Sequence, residues 1–113
     1  EIASQYKNLL NNNDEIKLFS FDYQNIVMHI FPILLIKENK REFVREELLK
    51  LGIQTGIHYF PNHLLSFYKG TTKLTLKNTE MIFPNLLTLP MHPDLSEEDV
   101  SYIVNQLLKV LKK

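Results

Sequence analysis

The sequence predicts a mixed α/β (α+β) fold: a small, roughly three-stranded sheet with helices packed mainly on one face. Three observations carry that expectation. The C-terminal stretch repeats apolar residues at helical spacing, with Ile103, Val104, Leu107, Leu108 and Leu111 forming an i, i+3, i+4, i+7 stripe. Residues 26–36 form an apolar run, from Ile26 to Ile36, that reads as a buried strand. Between these, Gly52 to His63 reads as a helix stop, a strand and a turn in succession. Helical and strand patterns thus alternate along one short chain, which favours a layered α/β packing.

In order along the chain, Ile2, Tyr6, Leu9 and Leu10 share one helical face, and the Asn11-Asn12-Asn13-Asp14 cluster ends that helix. The pattern is already helical at Glu1, so the chain is expected to be a piece of a longer protein. Asp22 to Asn25 makes a turn. Ile26 to Ile36 is then expected to be a strand buried on both faces or nearly so, which Pro32 confines to an edge or a bulge. After the polar gap Lys37 to Lys40, a helix presents Phe43, Val44, Leu48 and Leu51, with Asn39 as its cap and Gly52 as its closure.

Ile53 to Tyr59 carries β-branched and aromatic residues as a strand would, and Phe60-Pro61-Asn62 stops it. His63 to Tyr68 suits a short helical turn that Gly70 breaks, and Thr71 to Lys77 carries little pattern. Asn78-Thr79-Glu80 starts a short helix that Pro84 ends. Leu86 to Met91 reads as a further strand. Ser96-Glu97-Glu98-Asp99 is a capping box, and Leu95 and Val100 are spaced as its hydrophobic staple.

Composition removes several function classes. At 113 residues the chain is one domain with one core, and 44% apolar with 23% charged residues is a globular balance. Thirteen basic and thirteen acidic residues leave no net field to draw nucleic acid or an anionic membrane. Without cysteine there is no disulfide framework and no thiolate metal site. The run Ile26 to Ile36 is too short to span a bilayer and is interrupted by His29 and Pro32.

The chemistry-bearing residues concentrate in one place. His58, Tyr59 and His63 fall at a strand end and just past a turn, where side chains meet solvent or a ligand. A metal site is unsupported, since His29, His58, His63 and His92 show no i, i+4 pairing and no carboxylate at a fixed offset. Ser66 lies near His63, but no Gly-x-Ser-x-Gly elbow accompanies it. The glycines at 52, 56 and 70 are too dispersed for a phosphate loop. From the residues alone, the reading stops at an α/β module with a histidine- and tyrosine-bearing strand end.

The order of these features resembles the C-terminal small domain of the DegT/DnrJ/EryC1/StrS sugar aminotransferases, pyridoxal-phosphate enzymes of aminotransferase fold type I. The similarity runs from Ile2-Ala3, Tyr6 and Leu10 through His29-Ile30-Phe31-Pro32, Arg41, Leu48, Gly52-Ile53 and Thr55. It is most specific at His58-Tyr59, Pro61, His63 and Tyr68, and continues through Thr79-Glu80, Leu87, Leu89-Pro90, His92-Pro93, Leu95-Ser96 and Val100. Asn78 departs from the family's usual proline, and Pro84 is atypical inside the following helix.

The resemblance implies that residues 1–113 are a single small domain of a longer cytoplasmic enzyme, with 1–11 as the tail of the inter-domain helix. It implies amino transfer from glutamate to a keto-sugar nucleotide, in amino-sugar or surface-polysaccharide synthesis. Pyridoxal phosphate would belong to the parent enzyme, and none is expected on this piece, which lacks the Schiff-base lysine region. Lys69, in Ser66-Phe67-Tyr68-Lys69, is expected to be a surface lysine. His63, Tyr59 and His58 are the implied substrate-binding residues, His63 and Tyr59 as contacts and His58 as their orienter or a core histidine, with Pro61 aiming the loop and Arg41 structural. The implied partners are a missing large domain, the nucleotide sugar and a second copy in a homodimer, with exchange of Glu1 to Leu10 as a route to self-association. Neither nucleic acid nor membrane is expected. The competing expectations are a free-standing α/β interaction module without catalysis and a small metal-binding domain.

Overall fold

Among the described residues nine elements follow the chain: α1 (Ile2–Leu10), β1 (Ile16–Leu18), β2 (Phe31–Leu35), α2 (Arg41–Lys50), a 3₁₀ turn at Asn62–Leu64, α3 (Lys77–Ile82), a second 3₁₀ turn at Phe83–Asn85, β3 (Leu86–Leu89) and α4 (Glu97–Leu111). This computed structural model describes residues 1–23, 25–68 and 75–113. The expectations at Lys69 and Gly70, and for most of Thr71 to Lys77, lie outside the described residues. The strands form one antiparallel sheet in the order β1-β2-β3, which bears out the α+β class.

Strand β2 is shorter than the sequence suggests and is not buried on both faces. Phe31, Ile33 and Leu35 are buried while Pro32 and Leu34 are half-buried, the alternation of a strand with one core face. Residues 26–30 form no ladder, and Val27 is fully exposed at 101%. Proline was expected at an edge, yet β2 is the middle strand. The register shows why it is tolerated. Opposite Pro32 stands Thr88, whose N–H and C=O turn away from β2 to Gly56, at 2.8 and 2.9 Å. Pro32 therefore occupies a non-hydrogen-bonded position of the β2–β3 ladder, and its main-chain polar groups face the β1 side. There β1 ends at Leu18, opposite Ile33. The donor that proline lacks would point where no strand remains, so Pro32 is locally at an edge. Strand β1 went unread in the sequence because three residues are too few to show a period.

The helices cover the face made by Phe31, Ile33, Leu35, Leu87 and Leu89. Helix α4 contacts both α1 and α2. It buries Val100, Ile103, Val104, Leu107, Val110 and Leu111, and each such side chain stabilises by roughly 1.5–3 kcal/mol. Its capping box forms as read: the Asp99 N–H donates to Ser96 Oγ at 3.1 Å, and the Ser96 N–H to Asp99 Oδ2 at 2.9 Å. Two other stripes are narrower than expected. Leu9 in α1, and Phe43 and Leu51 around α2, are exposed. Asn39 does not cap α2; it takes a left-handed conformation at φ 59°, and Lys40 precedes the helix without a side-chain bond. Gly52 closes α2 as expected, at φ 78°. Its N–H donates to Leu49 O at 3.0 Å and that of Ile53 to Leu48 O at 2.9 Å, a Schellman pair whose apolar partners Leu48 and Ile53 are both buried.

Tyr6 joins these layers. It has no exposed surface, stacks on Phe31 with ring centroids 4.8 Å apart, and donates its phenol to Pro90 O at 2.8 Å. Burial, aided by the charge of Asp99, pushes the Tyr6 phenol well above its ordinary value of 10.0. A raised folded-state value means that its stabilising contribution is complete below pH 10.0 and is lost as pH climbs toward the folded value. Tyr6→Phe is expected to lower stability at neutral pH by about 1 kcal/mol in urea melts. It should also make the alkaline fall above pH about 10 shallower than in the wild type. Superimposable alkaline profiles would contradict the assignment.

Candidate functional site

Between α2 and the 3₁₀ turn at Asn62–Leu64 the backbone is pinned rather than laddered. The strand expected over Ile53 to Tyr59 reduces to one bridge, Gly56 paired with Thr88. Upstream, Ile53 is anchored by the α2 closure. Downstream, Pro61 is buried and its carbonyl accepts from the Leu64 N–H at 3.0 Å, starting the 3₁₀ turn. Pairing stops after Gly56 because the histidine that follows folds back on it. A Cβ at Gly56 would meet His58 Cε1 at 2.6 Å and Nδ1 at 3.1 Å, so the imidazole occupies the space that glycine leaves free.

His58 and Tyr59, joined by a cis peptide, are brought together as an edge-to-face pair with ring centroids 4.9 Å apart. The two residues face different surroundings. Tyr59 is 67% exposed, whereas the Nδ1 atom of His58 is buried without a hydrogen-bond partner. His63 is turned elsewhere. Its side chain is 9% exposed and its Nε2 lies 2.9 Å from Glu80 Oε1 on α3. The same Glu80 oxygen accepts the Leu76 N–H at 3.2 Å, so one carboxylate ties the 3₁₀ turn to the start of α3. Arg41, expected to be structural, packs on the turn after α3. Its guanidinium covers the Phe83 ring at 4.8 Å and donates to Phe83 O, while Phe83 packs edge-on against Phe60 at 5.2 Å.

A cleft of about 430 Å³ opens beside this segment, lined by His29, Gln54, Thr55, Gly56, His58 and Thr88 among others. His63 does not line it. Thr88 is the residue that sequence reasoning passed over. It is 4% exposed, it bonds Gly56, and its Oγ1 is buried without a partner. Nothing in a Leu-Leu-Thr-Leu strand marks a threonine as special, and its link to Gly56 spans the chain between two elements. Glu80 was visible only as half of Thr79-Glu80; its partner His63 lies 17 positions away. Among the described residues, no group of three His, Asp or Glu side chains gathers closely enough to hold a metal ion. No described helix is long and apolar enough to cross a membrane.

Comparison with known proteins agrees with this architecture. The sequence model of the DegT/DnrJ/EryC1/StrS aminotransferase family matches residues 1–108. The chain is 30% identical, over its whole length, to the UDP-4-amino-4,6-dideoxy-N-acetyl-beta-L-altrosamine transaminase of Campylobacter jejuni, and covers 31% of that protein. Among solved structures, a DegT DnrJ EryC1 StrS aminotransferase from Brucella abortus matches 99% of this chain with 30% of its own, at TM-score 0.81 and 29% identity. TlmJ from Streptoalloteichus hindustanus, at 24% identity, shows the same fold over 98% of this chain and 30% of its own, with TM-score 0.86. The chain thus spans less than a third of the length of these relatives.

The tie between His63 and Glu80 is open to direct measurement. Glu80→Ala should destabilise the chain by about 1 kcal/mol and speed amide exchange at Leu64 and Leu65, with Glu80→Gln intermediate. Unchanged exchange at those amides would show that the pair does not hold the turn.

Proposed function

The chain belongs to the DegT/DnrJ/EryC1/StrS aminotransferase family, and from that premise we propose that residues 1–113 are the C-terminal small domain of a nucleotide-sugar aminotransferase. The observation that carries this reading is the match of the whole chain, at 30% identity, to about a third of a sugar-nucleotide transaminase. On this reading the parent enzyme moves an amino group from glutamate to a keto-sugar nucleotide. Its partners are the remaining polypeptide, those two substrates and a second copy in a homodimer. Residues 1–11 are the end of the inter-domain helix. The free-standing interaction module has no observation in its favour.

Pyridoxal phosphate is the cofactor that such an activity implies, and the residues present do not fit it by themselves. A lysine that forms a Schiff base needs a desolvated pocket that lowers its proton affinity. Every described lysine is exposed except the half-buried Lys40, whose ammonium covers the Phe43 ring at 5.1 Å to the centroid. The cofactor's lysine and phosphate contacts therefore belong, on this proposal, to polypeptide outside this chain.

What these residues contribute is substrate contact. Tyr59 stands out exposed from the pinned segment, and its phenol is able to donate to sugar or phosphate oxygens or to accept from a sugar hydroxyl. His58 braces the Tyr59 ring from the side. His63, its Nε2 engaged by Glu80, contributes through its remaining ring edge and through the direction it gives the turn. Phe67 on the same segment is 83% exposed, which suits a surface that meets another body.

In an enzyme comprising this domain and the rest of such a protein, Tyr59→Phe is expected to raise KM for the nucleotide sugar about tenfold, the loss of one hydrogen bond to ligand, with kcat little changed. The chain alone, given pyridoxal phosphate, glutamate and a keto-sugar nucleotide, should form no amino sugar. Turnover by the chain alone would overturn the domain assignment, and an unaltered KM would remove Tyr59 from the substrate contacts.

A further inference from the structure

Two donors converge on one carboxylate oxygen. Oε1 of Glu80 lies 2.9 Å from His63 Nε2 and 3.2 Å from the main-chain nitrogen of Leu76. Leu76 is the N-cap residue of α3, where the helix's own ladder offers its N–H no acceptor. That N–H can only donate, so it holds Oε1 in place as an acceptor, as the carboxylate of a capping box is held. An ionised carboxylate accepts and never donates, so the imidazole brings the proton to this contact. Nε2 therefore carries the hydrogen, and in the neutral ring Nδ1 keeps its lone pair. Nδ1 makes no hydrogen bond among the described residues, and their buried unpaired polar atoms lie on Arg45, His58, Asn85 and Thr88 instead. It is the nitrogen of His63 left open to a ligand.

We propose that Glu80 is a positioning residue for His63: it fixes the neutral imidazole as the Nε2–H tautomer, so that the ring offers Nδ1 as an acceptor to a sugar hydroxyl. The His63 side chain is 9% exposed, and shielding from water strengthens the bond to the carboxylate that sets this preference. The choice of tautomer decides which part of a nucleotide sugar the residue can read. Phosphate oxygens are acceptors and meet a bare nitrogen unfavourably, whereas a sugar hydroxyl donates to it. His63 is thereby matched to the sugar and not to the diphosphate. The anchor lies on α3, 17 positions away in sequence, so α3 sets the ring although it carries no ligand contact itself. The contact to the sugar rests on the proposed function, whereas the tautomer does not.

Long-range proton–nitrogen spectra of the four histidines in the 113-residue chain test this directly, at pH about 8, where an imidazole ordinarily carries one ring proton. In the wild type, His63 should show a protonated Nε2 and a bare Nδ1, with well-separated shifts. Glu80→Gln keeps an oxygen that the Leu76 N–H holds in place, and should preserve that pattern. Glu80→Leu removes the acceptor and should give averaged His63 shifts, while exposed His92 is unchanged. Amide dispersion reports whether each variant folds, and Glu80→Ala carries the same comparison if the leucine variant does not. A wild-type His63 protonated at Nδ1, or a pattern unmoved in Glu80→Leu, would overturn the proposal. In an enzyme comprising this domain and the rest of such a protein, Glu80→Leu should raise KM for the nucleotide sugar about tenfold with kcat little changed, and Glu80→Gln should restore most of the loss. An unaltered KM beside a changed tautomer would overturn the sugar contact. Neither failure touches the domain assignment, which turnover by the chain alone tests separately.

Discussion

The pair of hydrogen bonds between Gly56 and Thr88 is the constraint on which the site depends. It uses the free edge of β3, the edge opposite β2, and attaches there a segment that has no ladder of its own. A full strand would have turned alternate side chains to the sheet and to solvent. A single bridge leaves the following residues free to double back, and His58 does so over the glycine that made the bridge. The same two bonds set Pro32 in a tolerable place. Because Thr88 spends its main-chain groups on Gly56, Pro32 meets it at a position where no donor is required.

Around that bridge the segment is fixed at each end by a different kind of interaction. The α2 closure commits the chain direction at Gly52 and Ile53. Glu80 gathers His63 and the Leu76 N–H, and Arg41 gathers Phe83 beneath Phe60. These contacts draw on α2, α3 and the turn after α3, so the segment is coupled to most of the surrounding secondary structure. Tyr59, between the anchored points, is left exposed. An exposed aromatic on a well-fixed backbone is the arrangement a contact residue needs, since little ordering remains to be done when a ligand arrives.

How far the sequence could be read varied with the range of the interaction. The cap of α4, its buried stripe and the glycine closure of α2 are local, and each follows from residues within one or two turns. The exposure of Leu9, Phe43 and Leu51 did not follow, because a helical stripe marks a face and not how far a neighbour extends over it. Strand limits were least legible. The apolar run at 26–36 and the β-branched and aromatic residues of 53–59 satisfy a strand's composition, yet only a partner's hydrogen bonds decide where a ladder starts and stops.

By itself the sequence determined the α+β class, the order of its helices, the helix signals at Ser96 and Gly52, and the gathering of chemistry-bearing residues between Gly52 and His63. Those are matters of period, backbone freedom and short-range capping. Tertiary structure alone decided that β2 is central, that Ile53 to Tyr59 is a bridge rather than a strand, that His63 faces Glu80, and that Thr88 shares a cleft with His58. Each of these joins residues far apart along the chain. The geometry that brings them together is a sum over the whole core, and no local pattern of residues encodes it.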